Sequence, residues 1–298
     1  MKVLLTGAGG FIGRTVHQAL QAAGYTVRTG VSSSRAKPGP DEVITDFAKD
    51  HSADVWLPRL EGVGAVVNAV GVLRDTRARP IAAVHRDTPI ALFDACAQAG
   101  VRRVIQISAL GVEQGATQYA ATKRAADDHL LMLQAQGAVS ATVLRPSVVF
   151  GRGGASSALF MQLARLPVIS LPRPVLSARV QPVAVADLAQ AVAALLSDSA
   201  VAQGVLPCTG PQAMPLADFI ASLRRQCGHR AARVLTLPDW LTHLSARAGD
   251  FVPVAPWCSE TLALLQQDNV GDAAWLRALI GKEPTHPDHM VDTAWGRA

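Results

Sequence analysis

The chain has 298 residues, of which 49% are hydrophobic and 17% charged, and its formal net charge is +5. At about 150 residues per domain this length predicts two domains or one large doubly wound domain, and the low charged fraction excludes a long disordered tail. The positive charge is too slight and scattered to indicate a nucleic-acid partner. No apolar stretch approaches the ~20 residues needed to span a bilayer, and the N-terminus lacks a signal-peptide core. We therefore expect a cytoplasmic protein with no membrane span.

In the first half of the chain, short apolar runs alternate with helical patterns, which is typical of a parallel sheet covered by helices. Six strands are predicted, at 2–5, 26–29, 42–44, 65–67, 103–107 and 141–144. Helices are predicted at 11–23, 88–99, 119–136 and 188–196, the last with Asp187 as its N-cap. The pattern predicts an α/β fold built on a doubly wound parallel sheet.

The composition of the sequence changes after Pro146, where glycines and prolines become frequent and indicate a loop-rich insertion up to Pro182. Further helices are predicted at 216–227, 238–248 and 259–267. We therefore predict a nucleotide-binding domain formed by 1–146 and 183–203, and a smaller C-terminal lobe for a substrate or partner formed by 147–182 and 204–298.

The first strand runs directly into a glycine-rich segment that opens a helix. It reads Thr6-Gly7-Ala8-Gly9-Gly10-Phe11-Ile12-Gly13. Gly7 permits a tight turn, Gly10 lets the backbone approach a pyrophosphate, and Gly13 allows close packing of helix on strand. With a strand before it and a helix after it, the segment predicts dinucleotide binding through Gly7, Gly9, Gly10, Phe11, Ile12 and Gly13. The alternative is a merely structural turn.

The end of the second strand indicates which dinucleotide binds. NAD sites usually place a carboxylate there for the ribose 2′-hydroxyl, and this chain has none. It offers Arg28, Ser32, Ser33, Ser34 and Arg35, groups that suit a 2′-phosphate. The sequence therefore favours NADP over NAD, the alternative being a solvated loop with exposed arginines. Asp46, after the third strand, is a candidate acceptor for the adenine amino group or a turn residue.

A tyrosine and a lysine stand one helical turn apart, at Tyr119 and Lys123. Both side chains then share a helix face, where an ammonium lowers the pKa of a phenol so that it moves a proton while a nicotinamide moves a hydride. Ser108 ends the fifth strand, at the sheet edge where such folds bind ligands. We predict Tyr119, Lys123 and Ser108 as a catalytic set, or else as a nucleotide-site remnant that holds only the ribose.

The residues that follow the fourth strand line the same edge of the sheet. They are Asn68, Ala69, Val70 and Gly71, and we predict that they contact the cofactor.

The sequence gives no sign of a metal site. Cys96, Cys208, Cys227 and Cys258 stand far apart with no Cys-x-x-Cys pair, which predicts reduced thiols. His286, Asp288 and His289 lack further matching ligands. We predict that no metal is bound.

These segments resemble the short-chain dehydrogenase/reductase superfamily, in the extended or atypical branch that includes the NAD(P)-dependent epimerase/dehydratase proteins. The matching pieces cover about the first 200 residues in order: 6–13, 68–71, 107–111, Tyr119 with Lys123, 144–146 and 182–187. The resemblance implies a Rossmann fold. Segments 68–71, 84–85 and 107–111 look most like the atypical group around the nucleotide-binding accessory subunit of respiratory complex I. This resemblance implies NADP(H) binding but not turnover, and it allows peripheral association with a respiratory complex.

The leading hypothesis is an NADP(H)-dependent oxidoreductase acting on a carbonyl, hydroxyl or quinone-like small molecule, with Tyr119 as proton donor or acceptor. One alternative is a non-catalytic NADP(H) sensor or assembly protein of a respiratory or quinone-linked complex. Another is a nucleotide-sugar epimerase or dehydratase. For the quaternary structure we expect a monomer or a homodimer.

Overall fold

The computed structural model describes residues 1–32, 37–114, 117–197, 204–252 and 257–296. In chain order, the strands and helices up to residue 146 are β1 (Lys2–Thr6), α1 (Phe11–Ala22), β2 (Thr26–Ser32), β3 (Glu42–Thr45), α2 (Ala53–Trp56), β4 (Ala65–Asn68), α3 (Thr88–Gln98), β5 (Arg103–Ile107), α4 (Gln118–Ala135) and β6 (Ser140–Pro146). A π-helical turn, Ala83–Asp87, runs into α3.

The rest of the chain adds shorter elements. They are β7 (Val149–Phe150), α5 (Ala155–Arg165), β8 (Val168–Pro172), α6 (Arg173–Ser177), β9 (Arg179–Val180), β10 (Val183–Ala184), α7 (Val185–Leu195), β11 (Gly204–Cys208), β12 (Met214–Pro215), α8 (Leu216–Gln226), β13 (Arg233–Leu237), α9 (Asp239–Asp250), α10 (Ser259–Leu264), α11 (Ala274–Ile280) and α12 (Met290–Trp295).

The chain forms two compact units. The first contains Met1–Arg145 and Leu188–Leu206, and the second contains Pro146–Asp187 and Pro207–Ala298. The sequence prediction placed the divisions after residues 146, 182 and 203, so the two divisions of the chain differ most over 183–187.

The first unit is built on a seven-stranded sheet in the order β11-β6-β5-β4-β1-β2-β3. Strands β1 to β6 pair in parallel, and the strand order reverses between β1 and β4, which is where doubly wound sheets bind their ligands. The central strands β1, β4 and β5 are mostly apolar because helices cover both faces, and the polar side chains that they bury stand at or near their carboxyl ends. The predicted doubly wound fold is confirmed.

The core of the first unit lies between the sheet and its helices. Leu4 and Val66 from the sheet pack with Leu92 and Phe93 of α3 and with Leu130 of α4, and all five are buried. This packing fixes the rotation of α4, and so decides which side chains of that helix face the sheet edge.

The second unit has its own core and three two-stranded sheets, β10-β7, β12-β9 and β13-β8. Phe219 of α8 meets Phe150 and Phe160 edge to face, with ring centroids 5.5 and 6.2 Å apart. The segment 147–182, predicted to be loop-rich, contains the helices α5 and α6 and the strand β8. None of the helices in the described parts of the chain is long and apolar enough to cross a membrane.

The prediction that Asp187 caps a helix was wrong. Helix α7 begins at Val185, so Asp187 lies within its first turn. Its buried carboxylate accepts a 2.7 Å hydrogen bond from the backbone N–H of Thr285 and lies 2.9 Å from Nζ of Lys282. The Asp187 carboxylate therefore holds the segment that contains Lys282 and Thr285 against α7.

Candidate active site

The glycine turn after β1 is shaped by close backbone contacts. Gly7 has φ of +77°, and a Cβ atom there would lie 2.8 Å from the backbone C and O of Ala69. A Cβ on Gly13 would lie 2.0 Å from the carbonyl oxygen of Gly7. Side chains at either position would push apart the turn, the segment after β4 and the first turn of α1.

The outer side of the same turn is open and suits an anion. Nothing lies within 4 Å of a Cβ built on Gly9. Gly10 occupies the N-cap of α1, no side chain caps the helix, and no acidic residue stands in its first turn. The first-turn amides of Phe11, Ile12 and Gly13 therefore keep their capacity to bind a phosphate, which the positive end of the helix dipole also favours. These residues fit the pyrophosphate of a dinucleotide.

A row of buried polar side chains joins the ends of three neighbouring strands. The Thr6 hydroxyl donates to Oδ1 of Asn68 at 2.7 Å, and Nδ2 of Asn68 donates to Oε1 of Gln106 at 2.8 Å. The same Asn68 Oδ1 accepts from the backbone N–H of Val70 at 3.3 Å. The Asn68 amide is therefore engaged within the protein, and its evident role is to hold Ala69 and Val70 against Gly7.

Arg28 lies at a different place from the one that the sequence suggested. Arg28 donates to the backbone carbonyls of Arg59 and Glu61, at 3.1 Å each, near the start of β4. Strand β2 continues past Arg28 to Ser32, so this guanidinium sits within the strand rather than at its carboxyl end, and its placement does not support the predicted cofactor contact. The predicted Ser33, Ser34 and Arg35 lie outside the described residues.

The Asp46 carboxylate serves a turn. Its Oδ1 accepts from the backbone N–H of Ala48 at 3.0 Å, and Oδ2 lies 3.8 Å from Nζ of Lys49. The turn role, one of the two that the sequence left open, is therefore present.

Tyr119, Lys123 and Asp127 share one face of α4. The helix starts after Thr117, whose side chain accepts the N–H of Ala120 as an N-cap, and spacings of four residues then align the three groups. Nζ of Lys123 lies 5.8 Å from the centroid of the Tyr119 ring and donates to the carbonyl of Ile107 at 3.1 Å. Burial lowers the pKa of Lys123 to about 8, partly opposed by the negative charge of Asp127.

His85, to which the sequence analysis gave no role in the site, belongs to the same cluster. Its ring stands edge to face against Tyr119, with centroids 5.2 Å apart. Nε2 accepts from the backbone N–H of Val72 at 3.0 Å, so Nδ1 carries the proton and faces Oγ1 of Thr122 at 3.3 Å. Burial, with the charges of Lys123 and Arg79, lowers the pKa of His85 to about 2, and the ring is therefore neutral.

The segment after β4 connects this cluster to the glycine turn. A Cβ built on Gly71 would lie 3.8 Å from both Nζ of Lys123 and Nε2 of His85, while Ala69 and Val70 touch Gly7. The structure thus brings the predicted groups Gly7, Asn68 to Gly71, Lys123 and Tyr119 into one continuous lining.

The Ser108 side chain is hydrogen-bonded to Asp127. Its hydroxyl donates to Oδ2 of Asp127 at 2.7 Å, and Arg145 donates to the same oxygen from Nη2 at 3.1 Å. Burial raises the pKa of Asp127, and the hydrogen bond from Ser108 and the charges of Lys123 and Arg145 offset part of that rise. Oδ1 of Asp127 is buried with no hydrogen-bond partner in the part of the chain that the structure describes.

Two site residues were thus missed by the sequence analysis. Asp127 carries a usable signal, because it continues the four-residue spacing of Tyr119 and Lys123. His85 carries none, because it reaches Val72 through a π-helical turn that no local pattern announces. Among the described residues, no three His, Cys, Asp or Glu side chains are grouped to hold a metal ion.

Comparisons with solved structures agree with the fold. Human epimerase family protein SDR39U1, solved with NADPH, is 17% identical with a TM-score of 0.73, covering 100% of each chain. Thermus thermophilus UDP-glucose 4-epimerase, solved with NAD, is 18% identical with a TM-score of 0.62, covering 94% of this chain and 98% of that one. Both likenesses concern the fold.

Among curated proteins, the chain is 28% identical over 181 residues to the ceramide reductase of Caulobacter vibrioides. That match covers 59% of this chain and 54% of the relative, so the chain spans only about half of the relative's length. The model of the NAD dependent epimerase/dehydratase family matches residues 3–205, which contain the glycine turn, Lys123 and Tyr119. The chain belongs to the NAD dependent epimerase/dehydratase family.

Proposed function

We propose that the protein is an NADP(H)-dependent oxidoreductase that acts on a carbonyl, hydroxyl or quinone-like small molecule. The observation that carries the proposal is the placement of Lys123. Its ammonium is buried on the same helix face as Tyr119 and lies against Gly71, at the end of the segment that touches the glycine turn. A buried cation beside a phenol suits proton transfer next to a bound dinucleotide.

In this proposal Tyr119 moves the proton. When bound, the nicotinamide supplies or accepts the hydride. Tyr119 gives its phenolic proton to the substrate oxygen during reduction, or takes it back during oxidation, and the Lys123 ammonium stabilises the tyrosinate. With a pKa of about 8, Lys123 remains mostly protonated at neutral pH. One of its hydrogens is held by the Ile107 carbonyl, which leaves the others for Tyr119 and for the ribose hydroxyls.

The preference for NADP rests on charge at the end of β2. No aspartate or glutamate occurs from residue 26 to residue 40, whereas Arg35 and Lys37 do. A carboxylate that would bind the ribose 2′-hydroxyl and repel a 2′-phosphate is therefore missing from this segment. Arg28 no longer supports the choice, since its guanidinium is bonded elsewhere.

The candidate substrates follow from the chemistry of the site and from the comparison with curated proteins. The similarity to a ceramide reductase supports reduction as the direction of the reaction and makes ceramide-related lipids worth including among the substrates. Simple carbonyls and quinones are the other substrates to assay. UDP-sugars are included because a nucleotide-sugar epimerase would act on them.

The first test is a fluorescence titration of the purified chain with NADPH and with NADH. We expect saturable, tighter binding of NADPH, abolished in Gly10→Asp, because the new carboxylate would stand at the helix N-terminus that binds the pyrophosphate. Equal affinity for both would contradict the NADP preference. Absence of binding would contradict the proposed function as a whole.

The second test separates turnover from binding. NADPH oxidation with the carbonyl, quinone and lipid panel should be lost in Tyr119→Phe and retained in Tyr25→Phe, which changes the other tyrosine of the chain. Equal activity of Tyr119→Phe and the unaltered protein on every active substrate would remove Tyr119 from the mechanism.

A second candidate is a non-catalytic NADP(H) sensor or assembly protein, associated with a respiratory or quinone-linked complex. The hydrogen bond from Ser108 to Asp127 favours it, because a hydroxyl that donates its hydrogen to a carboxylate does not donate it to a substrate carbonyl. This candidate requires tight NADPH binding, no turnover with any substrate, and a stable partner on isolation of the protein.

A further inference from the structure

Helix α9 of the second unit carries its large side chains on the solvent side. At 100° per residue, five positions fall within an arc of about 100°. We call them the α9 stripe: Trp240, His243, Leu244, Arg247 and, at the C-terminal cap, Phe251. All five are exposed. The exposed fractions of Trp240, Leu244 and Phe251 are 69%, 56% and 87%.

The opposite side of α9, which packs against the protein, is made of small or polar residues. Thr242 and Ala246 are buried, and a Cβ on Gly249 would lie 2.1 Å from the carbonyl oxygen of Trp257. Helices of soluble proteins normally turn their large apolar residues inward. Here the arrangement is reversed, because the inner side has room only for small groups. The exposed aromatic residues therefore do not serve the core of their own unit.

One cation lies on the stripe itself, and of the two acids at the ends of the helix one is paired with a cation and the other is hydrogen-bonded to a neutral serine. Arg247 is exposed on the stripe itself. The two acids of the helix are engaged at its ends: Asp239 pairs with Arg173 at 3.5 Å, and Asp250 accepts from the N–H and hydroxyl of Ser259 at 2.9 and 2.7 Å. The stripe therefore exposes aromatic and aliphatic side chains together with the guanidinium of Arg247. The carboxylates of Asp239 and Asp250 lie at the ends of the helix.

We propose that the α9 stripe docks on an anionic lipid bilayer. Trp and Phe side chains insert at the boundary between headgroups and acyl chains, and arginine binds lipid phosphates. A second copy of the chain fits less well. A helix of 12 residues is ~18 Å long and ~10 Å wide, so the stripe offers on the order of 200 Å². A stable dimer needs ~800 Å² from each partner, whereas each side chain inserted into a bilayer contributes separately.

This inference concerns a surface of the second unit and does not depend on the proposed oxidoreductase activity. It is tested by flotation of the purified full chain with vesicles of phosphatidylcholine alone and of phosphatidylcholine mixed with phosphatidylglycerol. We expect the chain to float with the mixed vesicles and much less with the neutral ones. High salt should reduce the difference between the two, because the charge contribution is screened.

Three variants make the test specific. Trp240→Ser combined with Phe251→Ser should lower the partition coefficient by about a hundredfold, since each aromatic side chain that leaves water supplies about a factor of ten. Arg247→Gln should lower partition onto the mixed vesicles by about fivefold and leave neutral vesicles unaffected. Met132→Ser, which alters an exposed apolar residue of α4, is the matched control and should float like the unaltered chain. Circular dichroism melting checks that all variants fold.

Three results would overturn the proposal. They are absence of flotation with either vesicle, flotation that the stripe variants leave unchanged, and a concentration-dependent dimer in light scattering that Trp240→Ser with Phe251→Ser abolishes. The last would assign the stripe to a second copy of the chain.

Discussion

The hydroxyl of Ser108 donates a 2.7 Å hydrogen bond to Oδ2 of Asp127, two helical turns along α4 from Tyr119. The proton of Ser108 is therefore directed at a carboxylate rather than at the position of a substrate carbonyl. Its oxygen keeps lone pairs that can accept from a substrate hydroxyl. Ser108 should therefore contribute less than Tyr119 to the rate of the proposed reaction.

This inequality can be measured in the kinetics of NADPH oxidation. Tyr119→Phe should lower kcat/KM by about 10²- to 10⁴-fold, the usual contribution of a general acid. Ser108→Ala should lower it by about tenfold, the value of one modest hydrogen bond. If both variants lose activity equally, Ser108 releases Asp127 during the reaction and acts on the substrate itself.

Asp127 should contribute strongly to stability. Its carboxylate has no exposed surface and accepts hydrogen bonds from Ser108 and Arg145. Asp127→Ala leaves the buried Lys123 ammonium without its anion and Arg145 with Glu113 alone, and we expect the free energy of unfolding to fall by about 3–5 kcal/mol. Chemical denaturation measures this directly.

The neighbouring Asp128 is the matched control. It is 60% exposed and lies 3.4 Å from Nε of Arg124, so Asp128→Ala should change the free energy of unfolding by less than about 1 kcal/mol. Similar losses for the two variants would show that Asp127 is not the anchor of this cluster.

The contrast between these two aspartates shows why only part of the site could be predicted. The helical period places Tyr119 and Lys123 together whatever the surrounding fold, and the order of strands and helices predicts the doubly wound sheet. The burial of Asp127 depends on the position of Ser108, which comes from a different element. The period places Asp127 on the face of Tyr119 and Lys123, but it does not show that Ser108 and Arg145 bind its carboxylate.

The positions of Arg28 and His85 depend on contacts between distant segments, which local sequence does not encode. Strand β2 was predicted to end at Thr29, but pairing with β3, from Thr29 with Glu42 to Ser32 with Thr45, extends it by three residues. Arg28 is therefore inside the strand. His85 reaches Val72 across a gap of 13 residues, and only the closed fold makes this contact.

His85 should make the protein sensitive to acid. Its pKa is about 2 in the folded state and 6.5 ordinarily, so below pH 6.5 the unfolded chain takes up a proton that the folded chain does not. The stability from neutral His85 is complete above pH 6.5 and declines as the pH falls toward the folded value, by about 1.4 kcal/mol per pH unit.

His85→Gln tests this, because its amide can accept from Val72 and donate to Thr122 without titrating. Between pH 7 and pH 5 the Tm of the unaltered protein should fall more than that of His85→Gln. His51→Gln changes an exposed histidine and should follow the unaltered protein. Parallel curves for His85→Gln and the unaltered protein would mean that His85 takes up its proton in the folded state.

Lys123 should act at the other end of the pH range. Its pKa falls from 10.5 to about 8 on folding, so between these values the unfolded chain binds the extra proton and the free energy of unfolding rises with pH. Relative to Lys123→Met, the unaltered protein should gain about 3 kcal/mol in total across this interval. Denaturation of both proteins from pH 7.5 to pH 10.5 gives the difference between their free energies of unfolding, in which the contributions of other titrating groups cancel.

Lys49→Met, at a side chain that is 80% exposed, is the control, and its difference from the unaltered protein should stay constant over this interval. A flat difference for Lys123→Met as well would mean that Lys123 keeps its ordinary pKa, and the proposed stabilisation of a Tyr119 tyrosinate by a desolvated ammonium would lose its basis.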